Sequence, residues 1–241
     1  MAKAYLDMAK SPAFWMTGSA VPFCLSTNPK GGHLFLHVPP GASASTPVLL
    51  LLHGYGGNLL YFPWAIWREM SDCVLIAPSW QVDWTKGPLA DRKTYVGEAL
   101  RRAADHAGVE FGRPWLVALS QGGPAAFELA NDEPSKFQGL LGLSTYSGNS
   151  ANDKIPKKFP VRLLHGDSDA RVACSDALDT ILEIQRRGGN AERTVVKGAD
   201  HFLVLSHRKS VGRFLRENMD QIPRPAKKSA KSGNSSAKPR R

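Results

Sequence analysis

Cysteine is scarce in this chain. Cys24, Cys73 and Cys174 are the only three in 241 residues, and they lie far apart. That spacing excludes a disulfide framework and supplies none of the paired Cys/His intervals of a structural metal site. Cys73 lies in an apolar run and reads as a small buried residue. Long hydrophobic runs are missing as well. None approaches the roughly 20 residues that cross a bilayer as a helix. The segment "SPAFWMTGSAVPFCLS" is broken by two prolines and a glycine where a secretory leader has a continuous apolar core. A cytoplasmic protein is therefore expected. There is no GxxxxGK[ST] loop to cradle phosphates, no repeat with a period of 20–50 residues, and no His pair or carboxylate cluster that suggests a metal. Neither a metal nor another cofactor is expected.

One region lacks acid altogether. Residues 222–241, "IPRPAKKSAKSGNSSAKPRR", hold seven Lys or Arg and no Asp or Glu. They account for most of the formal charge of +10, leaving +3 on the remainder, which has 24 basic and 21 acidic residues. A segment rich in Lys, Ser, Ala and Pro buries too little apolar surface to fold alone. The expectation is one folded domain over 1–221 followed by a disordered basic tail over 222–241. The tail is either a polyanion-binding element or a solubilising extension.

What is present, at 42% hydrophobic and 22% charged residues, is an ordinary globular composition arranged in alternation. "SAVPFCLS" (19–26) and "HLFLHV" (33–38) read as an opening hairpin. Apolar runs at 46–54, 73–78 and 115–119 are continuous, as in strands buried on both faces. Further strands are expected at 137–144, 160–166 and 192–198. Helical patterns occupy 61–70, 94–107, 122–131, 174–188 and 206–219. Strands alternating with helices predict an α/β fold with a mostly parallel central sheet and helices on both faces.

Ligands of open α/β sheets bind beyond the carboxyl ends of the strands. Those positions carry "HGYGG" from 53, "PSWQVDW" from 78, "SQGG" from 120, "HGDSDARV" from 165 and "GADHF" from 198. A serine, two aspartates and a histidine thus fall on one rim in the chain order Ser, Asp, His. Ser120 stands where an apolar strand turns into a helix. Such a serine is ordinarily an N-cap. The company it keeps on the rim favours a nucleophile instead.

With "LLLHGYGG", "ALSQGG", "LLHGDSDARV" and "KGADHF" in this order, residues 45–220 resemble the α/β-hydrolase superfamily. Within it, the likeness is to the small carboxylesterase, acyl-protein thioesterase and dienelactone-hydrolase-like group. One departure is Ala118, where the serine motif usually opens with glycine. Another is serine where dienelactone hydrolases proper have cysteine, which disfavours that activity. The resemblance implies an α/β-hydrolase fold without a large lid domain. It implies Ser120 as nucleophile, His201 as general base and Asp169 as the acid that orients His201. It also implies backbone N–H groups of Tyr55 and Gln121 as an oxyanion hole. Asp167 is the competing acid, but the family pattern sets the acid three residues after the glycine, at Asp169. Asp200 reads as a turn residue, and His53 and His165 as structural hydrogen-bonders.

Aromatics cluster near the expected rim, and Trp80, Tyr146 and Phe202 are candidate walls of an acyl pocket. The short segment "TYSGNSANDKIPKKF" has no room for a sizeable lid, and the loop 79–95 is the candidate cap over the cleft. The expected function is serine-dependent cleavage of carboxylic esters or thioesters of small to medium soluble substrates, through an acyl-enzyme. Two alternatives stand: a peptidase or amidase with the same triad, and a catalytically idle α/β-hydrolase fold used for binding.

Overall fold

The computed structural model describes residues 6, 10, 34–55, 61–79, 84, 87–148 and 154–220. Seven strands form one sheet: β1 Leu34–His37, β2 Val48–Leu52, β3 Val74–Pro78, β4 Trp115–Leu119, β5 Leu140–Leu143, β6 Val161–Gly166 and β7 Ala191–Val196. Their spatial order is β1-β3-β2-β4-β5-β6-β7. All neighbours are parallel except β1 and β3, which run antiparallel with Leu34 opposite Pro78. The strand expected at 33–38 thus pairs with β3. Its expected hairpin partner, 19–26, lies outside the described residues.

The helices are α1 Tyr61–Glu69, α2 Leu89–Ala107, α3 Gly122–Asp132, α4 Cys174–Arg186, α5 Leu203–Ser206 and α6 Arg208–Asp220. Every residue of β2, β3, β4 and β6 is buried, because helices cover both faces. Alternation along β2 divides the core. Val48, Leu50 and Leu52 pack with the buried faces of α2, α3 and α4. Leu49 and Leu51 pack with those of α1, α5 and α6. Each fully buried Leu contributes about 1.5–3 kcal/mol of transfer free energy, so the continuous apolar runs are what make these strands central.

Three elements depart from the sequence expectation. α2 begins at Leu89 rather than 94. Pro88 occupies its N-cap with φ −65°, already suited to helix entry, and Asp91 sits in the first turn. The helix stops at Gly108, whose φ of 63° is the left-handed conformation glycine adopts without penalty. The helix expected at 206–219 is α6, and a short helix not expected from the sequence, α5, precedes it, with His207 at φ −121° between the two. The strand expected at 137–144 shortens to 140–143, preceded by a helical turn at Pro134–Lys136.

Two devices place α3 against the sheet. A Cβ at Gly122 would stand 2.3 Å from the Leu52 carbonyl oxygen, and one at Gly123 would stand 1.9 Å from Thr145 Oγ1. Only glycine allows the start of α3 to lie this close to the ends of β2 and β5. The connection from β5 to β6 is short, and the described residues form no large lid domain.

Candidate active site

The three residues drawn to one rim by the sequence come together. Ser120 follows β4 with φ 50°, one of two non-glycine residues among the described ones in the left-handed region. Its N–H bonds the Leu143 carbonyl at 3.1 Å, and its carbonyl accepts the Gly123 N–H at 2.9 Å. The tight turn carries Oγ off the strand end, 2.9 Å from His201 Nε2. His201 lies between β7 and α5, and its Nδ1 is 2.8 Å from Asp169 Oδ2 and 3.0 Å from Oδ1. A carboxylate only accepts, so Nδ1 carries the ring proton and Nε2 is the acceptor facing Ser120.

Asp169 is held from several sides. Its Oδ1 accepts the N–H groups of Arg171 at 2.9 Å and Val172 at 3.0 Å. Burial opposes its ionisation, but the N–H donors of Val172 and Arg171, together with His201, outweigh that and hold the carboxyl below its ordinary range. His165, fully buried on β6, adds a neighbour that the sequence reading left as a structural hydrogen-bonder. Its Nε2 is 2.9 Å from the Val172 carbonyl and 3.2 Å from Asp169 Oδ2. Both partners are acceptors, so Nε2 carries the proton and faces the carboxylate.

Asp167 does not face His201. Its Oδ1 accepts the Gly198 N–H at 2.6 Å and the Ser168 hydroxyl at 3.1 Å, tying the two rim loops together. Asp200 caps the Phe202 N–H at 2.9 Å, the expected turn role. His53 Nδ1 is 2.7 Å from the Gly54 carbonyl, and Gly54 leaves only 3.1 Å between a Cβ and that of Ser120. The loop after β2 therefore runs directly beside the nucleophile candidate.

Tyr55 is exposed at this rim. Gln121 stands at the entry to α3 with φ −63°, where peptide N–H groups lack intrahelical acceptors and the helix dipole is positive. Phe202 meets the His201 ring edge-on at 5.5 Å, and the Arg171 guanidinium lies over the Phe202 ring at 5.1 Å. Tyr146 is half-buried after β5. Trp80 lies outside the described residues. After β3, Trp84 is fully buried with its ring 5.4 Å from His53, and the Tyr95 hydroxyl donates to the Ser79 carbonyl at 2.6 Å. Arg92 holds the Gly87 carbonyl at 2.7 Å.

Among the described residues no group of three or more His, Cys, Asp or Glu is placed to hold a metal ion. Nor is any helix among them long and apolar enough to cross a membrane.

No family model matches the chain, and no curated protein sequence does. Solved structures do. Esterase PE8 superposes with a TM-score of 0.57 at 22% identity, covering 77% of this chain and 97% of that one. A Bacillus cereus carboxylesterase gives 0.60 at 16% identity, covering 78% and 94%. An alpha-beta serine hydrolase homologue from Coxiella burnetii gives 0.57 at 17% identity, covering 76% and 90%. At such identities the likeness is one of architecture, and it agrees with the sheet order and the rim geometry: the chain has the α/β-hydrolase fold.

Proposed function

We propose that the protein is a serine hydrolase that cleaves carboxylic esters or thioesters of small to medium soluble substrates. The observation that carries this reading is the relay from Ser120 Oγ to His201 Nε2 at 2.9 Å and from His201 Nδ1 to Asp169 Oδ2 at 2.8 Å, on a strand-to-helix turn with Ser120 at φ 50°. Two of the structural neighbours are an esterase and a carboxylesterase, which supports it.

The chemistry follows from the proton positions. Ser120 Oγ attacks the substrate carbonyl carbon while His201 Nε2 takes its proton. Negative charge gathers on the carbonyl oxygen, where the N–H groups of Tyr55 and Gln121 receive it. Asp169, ionised at neutral pH, stabilises the imidazolium. His201 then returns the proton to the departing alkoxide or thiolate, leaving an acyl group on Ser120. Water attacks the acyl carbon while giving a proton to His201, and His201 passes that proton to Ser120 Oγ as the acyl bond breaks and the acid leaves. The Phe202 ring beside His201 supplies an apolar wall to the cleft.

The test is a fluorophosphonate probe with intact-mass detection, alongside turnover of matched p-nitrophenyl, thioester and anilide substrates of one acyl group. The proposal expects one probe adduct at Ser120 and faster ester or thioester than anilide cleavage. No adduct would return the fold to a binding role, and preferred anilide cleavage would make it an amidase.

A further inference from the structure

The nucleophile's own carbonyl has an acceptor role that the triad does not use. Two donors reach it. The Gly123 N–H, at 2.9 Å, belongs to the same turn. The Thr145 hydroxyl comes from the segment after β5 and donates to the Ser120 carbonyl oxygen. Thr145 is fully buried, and the fold makes room for it on two sides. A Cβ at Gly123 would stand 1.9 Å from its Oγ1, and one at Gly142 would stand 2.6 Å from its Cγ2. Two glycines on two different elements thus seat one threonine. A buried hydroxyl is costly unless it is bonded, and this one is spent on the Ser120 carbonyl.

That carbonyl shares a planar peptide unit with the Gln121 N–H, and in a trans peptide the two point in opposite directions. Fixing the oxygen therefore fixes the N–H. The Gly123 bond moves with α3 and leaves the plane free to tilt with the turn. The Thr145 bond ties it to β5, whose Leu143 carbonyl also holds the Ser120 N–H at 3.1 Å. A donor on the carbonyl also polarises the amide and strengthens the N–H at its other end.

We propose that Thr145 is a positioning residue that aims the Gln121 N–H at the oxyanion, by clamping the Ser120 carbonyl from behind. The inference rests on the hydrolase reading above, but it concerns a peptide plane that exists with or without substrate. Removing an oxyanion donor outright costs about 10²–10³ in kcat. A donor that is present but poorly aimed keeps part of that.

The experiment compares Thr145→Val, which preserves shape and deletes the hydroxyl, with Thr145→Ser, which keeps it. The expected result for Thr145→Val is a fall in kcat of about tenfold, counted per fluorophosphonate-titrated site, with KM changed less than about twofold. Affinity for a trifluoromethyl ketone, which forms an oxyanion on Ser120, should fall by about the same factor, since only the transition-state-like species feels the donor. The pH profile should keep its midpoint, because His201 and Asp169 are untouched. Thr145→Ser should restore kcat and ketone affinity. Independently of any turnover, the backbone ¹⁵N resonance of Gln121 should move in Thr145→Val and return in Thr145→Ser. If Thr145→Val does not fold, Thr145→Ala carries the same readouts. Equal loss in Val and Ser variants, a change confined to KM, or an unmoved Gln121 resonance would overturn the proposal. A wild-type protein without esterase activity would sink the hydrolase reading and leave the Gln121 resonance to decide this one.

Discussion

Two serines end adjacent strands in the same strained conformation. Ser120 closes β4 at φ 50° and Ser144 closes β5 at φ 48°. Each N–H bonds the next strand over, to Leu143 at 3.1 Å and to Leu164 at 2.9 Å. There the likeness stops. Ser120 is half-buried and its Oγ meets His201 at 2.9 Å. Ser144 is fully buried, and its Oγ has no hydrogen-bond partner among the described residues. The left-handed turn by itself therefore does not mark a nucleophile. What distinguishes one serine as a nucleophile candidate is access from solvent and a base on the far side of the same rim.

The sharpest way to break the comparison is to remove each hydroxyl. Ser120→Ala should lower ester kcat by about 10⁴-fold or more, since only oxyanion and binding effects survive loss of a triad member. Intact-mass probe labelling should disappear with it. If Ser120→Ala keeps its turnover in protein free of contaminating esterases, the two serines are equivalent and Ser120 is only a helix-entry residue.

The acids allow a second contrast of the same kind. Asp169→Asn should cost about 10⁴-fold in kcat, because an amide no longer selects the His201 tautomer. Asp167→Asn should cost little, since its partners are Gly198 and Ser168. Comparable losses would show that the loop, and not the carboxylate on His201, is what matters. Asp169 also has a pH signature. Its folded-state pKa lies below the ordinary value of about 3.9. The stability it contributes is therefore present above that value and is lost as pH falls through the depressed one. Urea melts across pH 2–5 should be less pH-dependent for Asp169→Asn than for the parent chain.

A smaller effect is expected at the seat of α3. Gly122→Ala places a methyl 2.3 Å from a backbone oxygen that has nowhere to go, and should destabilise by about 3 kcal/mol, read as a denaturation midpoint. An unchanged midpoint would show that α3 relaxes away from the sheet. Ser144→Ala should leave kcat within about twofold and hold or slightly raise stability, because it removes a buried hydroxyl with no described partner. A large kcat loss there would make Ser144 part of the site and erase the contrast. The least effect on chemistry is expected from ending the chain at Ile222. Kinetics on a small neutral ester should be unchanged, while low-salt retention on heparin falls because seven of the basic residues are gone. Unchanged retention would place the basic footprint elsewhere.

Much of this was legible in the chain because it is local. Continuous apolar runs specify strands buried on both faces, and their alternation with amphipathic segments specifies a parallel sheet without reference to any distant contact. Carboxyl-end positions follow from strand direction alone, so Ser120, Asp169 and His201 could be put on one rim before any distance was known. The start of α2 was not legible. "GPLADRK" reads as part of a loop because of its glycine and proline, whereas in the structure Pro88 stands at the N-cap of α2 and the buried Arg92 holds the Gly87 carbonyl. Nor was α5, a single turn at 203–206 that ends where the expected helix begins.

What only the tertiary structure decided is which of several equivalent-looking side chains meet. Composition does not separate two aspartates one residue apart; the family resemblance favours Asp169, but the contact itself belongs to the fold. The turn after β6 sends Asp169 into the interior toward His201 and Asp167 outward to Gly198. Thr145 carries no signal at all in the sequence. Its place behind the Ser120 carbonyl exists because β4 and β5 are parallel neighbours in register, with Leu119 beside Leu143, so that the residues just past each strand lie side by side. Residue order determines strands, faces and rims, since those depend on periodicity along one segment. Partnership across the rim depends on register and on room left by glycines at 123 and 142, and these arise only when separate segments pack.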